Sequence, residues 1–308
     1  MNHNSPAEIR AELDRLTVEP KKRWGQNFMV NPRTRRKLID TLEIGEGETV
    51  WEIGPGLGAL TTELVPRCAR LVLFEVDHGL IRHLNDELGD HAHVRIVAGD
   101  FLRTWRQARV EHGAPDRIVG NLPYRSASAI VAALLEHDAR PLHAVFTVQK
   151  ELAERIVAPA GSRNYSSFSV LCQCLSEVRS YGELAPGTFY PAPEVTSAVI
   201  GLRPGGAARR VRNRDVLFAL IRASFQARRK TLRNNLLAGD GFGLSKADLL
   251  DAVEDAGVNP GSRAEELAPA TFVRLADALV RKGAAVPAQP PFGAPDDNEE
   301  EAAGRSAR

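Results

Sequence analysis

The chain has 308 residues and a formal net charge of +1, with 43% hydrophobic and 26% charged residues. That balance supplies enough apolar side chain for a full core, and the length suits about two domains. No apolar run approaches the ~20 residues needed to cross a bilayer as a helix. The polar first fifteen residues, which carry acids, do not read as a secretory or transit segment, so a cytoplasmic protein is expected. Residues 1–19 read as a flexible, loosely ordered lead-in. Asn31-Pro32 then makes a cap and first turn for a helix. Apolar strands are expected at 48–53, 71–76, 94–97, 117–119 and 143–148, with helices at 58–64, 80–88, 127–135 and 150–157 among them. Such alternation predicts an α/β fold whose parallel sheet is covered on both faces, in a domain over residues 20–204. Beyond Pro204 the strand signals stop. Helices at 216–225, 229–237, 246–256 and 270–281 predict a smaller all-helical domain over 205–282. The Pro-rich, acidic end, 283–308, is expected to be disordered.

The near-neutral total hides a segregation of charge. Residues 20–37 carry seven basic side chains, Lys21, Lys22, Arg23, Arg33, Arg35, Arg36 and Lys37, and no acid. Residues 203–233 carry ten against the single acid Asp215. Asp296, Asp297, Glu299, Glu300 and Glu301 gather at the opposite extreme. Basic blocks of this kind suit a polyanionic partner, although a solvated helix face gives the same pattern. The three cysteines are Cys68, Cys172 and Cys174. The Cys172-Gln173-Cys174 pair has no second Cys/His cluster to complete a metal site. It lies in an apolar stretch, and reads as buried thiols in a reducing compartment.

The first strand runs into Glu52-Ile53-Gly54-Pro55-Gly56-Leu57-Gly58-Ala59-Leu60. Glycines at a strand-to-helix turn let the backbone approach a ligand that a Cβ would block. The spacing satisfies the loose G-x-G-x-x-A dinucleotide fingerprint, so a nicotinamide enzyme is one reading. Glu75 ends the second strand, where an acid binds two ribose hydroxyls. Asp100 ends the third, where it can accept from an adenine amino group beside Phe101. The fourth strand ends in Asn121-Leu122-Pro123-Tyr124. The Asn oxygen and a carbonyl held beside the rigid Pro can accept both protons of an exocyclic amine. That favours the pyramidal nitrogen that attacks an electrophile. Tyr124 offers a flat face to a planar base. An ordinary Asn-x-Pro turn would look the same in isolation. Two strand-end acids followed by this loop favour S-adenosylmethionine over a nicotinamide, which leaves the fourth loop unexplained and finds no hydride-transfer partner.

With those residues in place, the chain resembles the rRNA adenine N6-dimethyltransferases, most of all the KsgA/RsmA branch that modifies small-subunit rRNA. Gly25-Gln26-Asn27-Phe28, Gln149-Lys150-Glu151-Leu152-Ala153-Glu154-Arg155 and Phe189-Tyr190-Pro191-Ala192-Pro193 carry the likeness. So do Arg228-Arg229-Lys230-Thr231-Leu232 and Ser262-Arg263-Ala264-Glu265-Glu266-Leu267. Together they span about residues 20–281. The resemblance implies a Rossmann-like class I S-adenosylmethionine-dependent methyltransferase sheet, with cofactor contacts from Asn27, Met29, Gly54, Glu75, Asp100 and Asn121. It implies catalysis at Asn121, Leu122, Pro123 and Tyr124, with the Phe189 ring stacking on the target adenine opposite Tyr124. The implied reaction dimethylates N6 of two adjacent adenosines near the 3′ end of 16S rRNA, during biogenesis of the small ribosomal subunit. The implied partner is that rRNA within the subunit or its precursor, bound by a monomeric enzyme. No metal is needed, because the sulfonium leaving group is already activated by its charge.

Erm-type enzymes of 23S rRNA are the nearest alternative. They more often carry Ile where this chain has Leu122, and generally lack the Arg-Arg-Lys helix. Leu122 in place of a first Pro also argues against DNA adenine and protein glutamine methyltransferases. A ribosome assembly factor acting mainly by binding is the reading from another class. Two departures from the family pattern touch the RNA side: Ser166 stands where Gly is usual, and Glu194 where Lys is common.

Overall fold

This computed structural model describes residues 1–18, 26–136, 141–207, 211–239, 242–286 and Phe292. Lys21, Lys22, Arg23, Gly25 and the acids of 296–301 therefore lie outside the described residues. So does the rest of the 283–308 end, apart from 283–286 and Phe292.

The lead-in expected to be flexible folds instead into α1 (Pro6–Arg15). Ser5 caps it, accepting from the Glu8 N–H at 3.3 Å, and Pro6 occupies its first turn. Ile9 and Leu13 lie one turn apart on its inner face and pack with Phe28, Leu57 and Leu80. The charges that flank this stripe mask it in a composition-based reading. The two-residue β1 (Phe28–Met29) and α2 (Pro32–Leu42) follow; Asn31 accepts from the Arg33 and Thr34 N–H groups, as its position before Pro32 predicts.

The central sheet contains β2 (Thr49–Ile53), β3 (Arg70–Glu75), β4 (Val94–Ala98), β5 (Arg117–Asn121), β6 (His143–Gln149), β7 (Ser176–Leu184) and β9 (Ser197–Pro204). A further short strand, β8 (Phe189–Tyr190), pairs antiparallel with β1. The order across the sheet is β4-β3-β2-β5-β6-β9-β7. The first five of these strands are mutually parallel, as expected, but β9 pairs antiparallel with both β6 and β7. The sheet is thus mixed. The polar alternation of β7 gives it a solvated edge, a pattern that differs from the continuous apolar runs of the interior strands.

Side chains alternate across the sheet. Trp51, Val72, Phe74, Ile118 and Phe146 face one apolar layer, and Val50, Leu71, Leu73, Val119 and Val145 face the other. The first layer is closed by α5 (Phe101–His112), whose Phe101 ring meets Phe74 at 5.0 Å. It also holds α6 (Ala127–Glu136), α7 (Lys150–Val157) and α8 (Ser167–Leu175). The second layer is covered by α2, α3 (Thr61–Leu64) and α4 (His78–Leu88).

The C-terminal helices are α9 (Arg214–Phe225), α10 (Leu232–Leu236), α11 (Lys246–Asp255) and α12 (Pro269–Arg281). Their apolar faces belong to the same continuous cluster as Trp51 and Phe146, joined through α8. Tyr165 Oη donates to the Leu267 carbonyl at 2.8 Å and Arg228 Nη2 to the Arg163 carbonyl at 2.8 Å across this seam. Cys172 and Cys174 are fully buried free thiols in that layer, where burial pushes both up, Cys174 to about 12. No described helix is long and apolar enough to cross a membrane.

Candidate active site

The chain runs from β2 outward to β3 and β4, then returns to the other side of β2 for β5 and β6. That reversal opens a crevice at the carboxyl ends of the strands, the place where open α/β sheets bind ligands. Register puts the expected site residues along this edge: Ile53, which precedes Gly54, lies between Phe74 and Gly120, and Glu75 lies beside Ala98. A cavity of about 660 Å³ occupies the crevice, within the usual range for a small-molecule site.

Gly54, Gly56 and Gly58 have φ of 70°, 60° and 85°, values that a side chain rarely adopts. At Gly56 a Cβ would also stand 3.1 Å from the Phe28 ring. The loop therefore carries glycine at these three positions, and Gly54 and Gly56 line the cavity. Glu75 closes on it: Oε2 accepts from the Gly56 N–H (3.1 Å), and Oε1 from those of Val76 and Asp77 (2.8 and 3.0 Å). Burial pushes this carboxyl above its ordinary range, while the three N–H donors oppose the shift. Asp100 borders the same cavity and caps α5, its Oδ1 accepting from the Leu102 N–H at 2.9 Å. Asn27 and Met29 complete the wall from the β1 side.

Asn121 ends β5. Its Nδ2 donates to the Asn27 carbonyl at 2.7 Å, which turns Oδ1 the other way as an acceptor. The next residue behaves differently from its neighbours. Leu122 is 1% exposed and its side chain belongs to the core, so only its backbone is available for chemistry. Its N–H donates to Thr147 O at 3.0 Å, and the Pro123 carbonyl accepts from the Ser126 N–H at 3.1 Å. These bonds fix the backbone of the loop. Tyr124 is half-buried, its hydroxyl 2.7 Å from Ser197 Oγ on β9; burial raises its phenol.

Phe189 departs from expectation. It pairs with Met29 in the β1–β8 ladder and is 3% exposed, packed in the layer that holds Leu38 and Val199. The structure brings Asn27, Met29, Gly54, Glu75, Asp100, Asn121 and Pro123 to one cavity. Leu122, Tyr124 and Phe189 are not among the residues that line it.

Glu52 was missed by the sequence reading, although it stands inside the glycine-loop motif. It lines the cavity at 1% exposure, and Thr61 Oγ1 donates to its Oε2 at 2.7 Å. Burial, opposed by the Thr61 hydrogen bond and aided by the nearby Glu75, pushes its carboxyl up to about 8. A charged residue within an apolar strand was the available signal. His3 and Ile9 also line the cavity; nothing in their local sequence pointed there, because the approach of α1 is set by tertiary packing.

A glycine loop at a topological switch point, a buried strand-end acid, a second acid at the next strand and an amide-bearing Asn-x-Pro-Tyr loop define a class I S-adenosylmethionine-dependent methyltransferase of amino groups. The residues fit that cofactor: Glu75 suits its ribose and Asp100 its adenine, and the cavity has the necessary size. Residues 18–280 match the family described as ribosomal RNA adenine dimethylase, and the chain belongs to that family. It is 36% identical over 283 residues to ribosomal RNA small subunit methyltransferase A of Treponema denticola, covering 90% of this chain and 96% of that one. The protein of the same name from Borreliella burgdorferi is 39% identical over 237 residues, 77% of this chain and 82% of that one. Among solved structures, a dimethyladenosine transferase from Plasmodium falciparum superposes with a TM-score of 0.71 at 25% identity, over 82% of this chain and 98% of that chain. The 23S rRNA methyltransferase ErmE gives 0.60 at 25% identity, over 82% and 100%.

Proposed function

We propose that this enzyme dimethylates N6 of two adjacent adenosines near the 3′ end of 16S rRNA, acting on the small ribosomal subunit or its precursor. The Asn121 amide, pinned on Asn27 at the edge of the cavity, is the observation that carries the chemistry. S-adenosylmethionine supplies an electrophilic methyl group on a charged sulfur. The chain's own task is to make a delocalised aromatic amine nucleophilic. Asn121 Oδ1 and the Leu122 carbonyl accept the two amine protons as the nitrogen pyramidalises. Preorganised acceptors of this kind act without reorganisation at the moment of reaction. Tyr124, anchored through its hydroxyl on Ser197, offers one face to the base; stacking of that kind contributes roughly 1–3 kcal/mol per base. For Phe189 to supply the other face, β8 must move it out of the layer beside Leu38. The target base must be unpaired or extruded, since N6 is engaged in a helix.

RNA docking falls to exposed cations. Arg33, Arg36 and Lys37 on α2 face Arg179 across a groove of about 810 Å³ beside the β7 edge, which also holds Asp40, Glu177 and the Arg203–Glu43 ion pair (2.6 Å). Arg228, Arg229, Lys230 and Arg233 are exposed around the start of α10. Identities of 36% and 39% to relatives named for the small subunit, over 90% and 77% of this chain, support the 16S target. Incubating the enzyme with labelled S-adenosylmethionine and undermethylated subunits tests it. Label is expected in small-subunit rRNA; label confined to the large subunit would assign the Erm-type reaction, and none in either would leave the binding-factor reading.

A further inference from the structure

The segment ahead of the glutamine-asparagine motif is folded against the cofactor cavity, and three independent contacts hold it there. Ile9 and Leu13 of α1 are 1% and 2% exposed, packed with Leu57 of the glycine loop and with Phe28, the ring that abuts Gly56. Glu12 reaches the buried His83 of α4 at 3.0 Å. Arg35, buried on α2, donates from one guanidinium nitrogen to the Met29 carbonyl (3.0 Å) and from another to Asn4 Oδ1 (2.6 Å). One side chain thus ties β1, which walls the cavity, to the stretch that carries His3.

His3 is itself part of the cavity wall, as is Ile9. S-adenosylmethionine carries one anionic group, the carboxylate of its methionyl end. The acids of the cavity cannot receive it. Glu75 and Asp100 suit the ribose and adenine, and Glu52 lies under the glycine loop. Among the described residues of the wall, Arg125 carries the cationic side chain. It follows Tyr124, in the stretch that leads into α6, which packs on α5. His3 lies at the α1 side, with the Arg35 guanidinium close enough to depress its basicity. Burial and Arg35 lower the imidazole to about 4, so it offers a neutral ring N–H.

We propose that residues 1–18 are a working part of the cofactor site, in which α1 closes the cavity over the glycine loop and His3 donates a ring N–H to the cofactor's methionyl carboxylate. This rests on the S-adenosylmethionine reading above. The test uses the full chain and two probes, S-adenosylhomocysteine and 5′-methylthioadenosine, titrated by calorimetry. The second probe has the adenosine part but no carboxylate. His3→Ala is expected to weaken S-adenosylhomocysteine binding by about tenfold or more, the loss of one hydrogen bond to a charged group. Binding of methylthioadenosine should stay within about twofold, which also reports an intact cavity. His3→Gln, which keeps an N–H donor, should recover most of the loss. Equal weakening of both probes would make α1 a structural strap only, and unchanged S-adenosylhomocysteine binding would remove His3 from the site; either result overturns the proposal. If the unaltered protein binds neither probe, the cofactor reading itself fails.

Discussion

At the scale of single residues, the Asn121 amide is already oriented before any ligand arrives. Its Nδ2 is spent on the Asn27 carbonyl at 2.7 Å, so its oxygen is set without a rotamer search. Asn121→Ala is therefore expected to lower kcat by about 10²-fold or more, the scale of losing one preorganised polar group. RNA affinity, read by filter binding, should change less than about twofold. Full activity in that variant would sink the assigned role. Glu52 makes a second prediction of a different kind. Its carboxyl rises from an ordinary value near 4.5 to about 8 in the folded chain. Between those values the folded chain holds a proton that the unfolded chain has released, so stability falls as pH rises through this window and levels off above about 8. Glu52→Gln cannot ionise. The stability of that variant relative to the parent should grow by a few kcal/mol between pH 5 and 8.5, measured by urea unfolding; a gap independent of pH would show that Glu52 is not held neutral. The gathering of Asn121, Glu75 and Asp100 at one cavity was legible in sequence because each stands at a strand end beside its own turn. Phe189 was not, because its burial is decided by pairing with Met29, a partner remote in the chain.

Elements show the same division between local and distant causes. The Ser166 departure from the family pattern is explained by α8. Ser166 caps that helix, accepting from the Ser169 N–H while Ser169 Oγ accepts from the Ser166 N–H at 3.0 Å, a reciprocal box. Ser169 Oγ also donates to the Arg155 carbonyl at 2.5 Å, which fastens the cap to α7. Ser166→Ala should cost about 1 kcal/mol in urea unfolding and Ser166→Gly only a few tenths, since Gly is tolerated as a cap. A Ser166→Ala variant as stable as the parent would mean that the hydroxyl contributes nothing. Glu194 is exposed, and nothing in the structure explains its departure. Interior strands β2, β3, β5 and β6 were readable as apolar runs because both their faces are covered. By contrast α5 and β7 were not. In α5 the apolar positions Phe101, Trp105 and Ala108 are diluted by Arg103, Arg106 and Arg109. In β7 the edge position exposes Glu177, Arg179 and Ser180, so the apolar signal disappears where only one side is paired.

Across the whole molecule, two basic blocks that look uniform in sequence divide into structural and surface cations. Arg35 is 6% exposed and holds Met29 and Asn4. Arg214 bonds the Leu135 carbonyl and lies over Phe218. Arg222 is spread over the Phe292 ring at 3.9 Å and reaches Glu136 at 3.6 Å. These residues join layers of the fold and contribute little to a polyanion's landing surface. Arg33 and Arg36 differ: both are exposed on α2, on the groove shared with Arg179 and Arg203. They follow directly on β1, whose Met29 pairs with Phe189. A cation that neutralises a phosphate releases counterions, so removing one such cation reduces the slope of log K against log salt by about 0.7–0.9. The double variant Arg33→Glu with Arg36→Glu should therefore raise KM for RNA by about tenfold at low salt and flatten the salt slope by about 1.5. Its kcat at saturating RNA should stay within about twofold, and binding of S-adenosylhomocysteine should not change, because neither side chain lines the cofactor cavity. An unaltered salt slope would place the RNA backbone elsewhere, leaving the exposed cluster from Arg228 to Arg233 as its track.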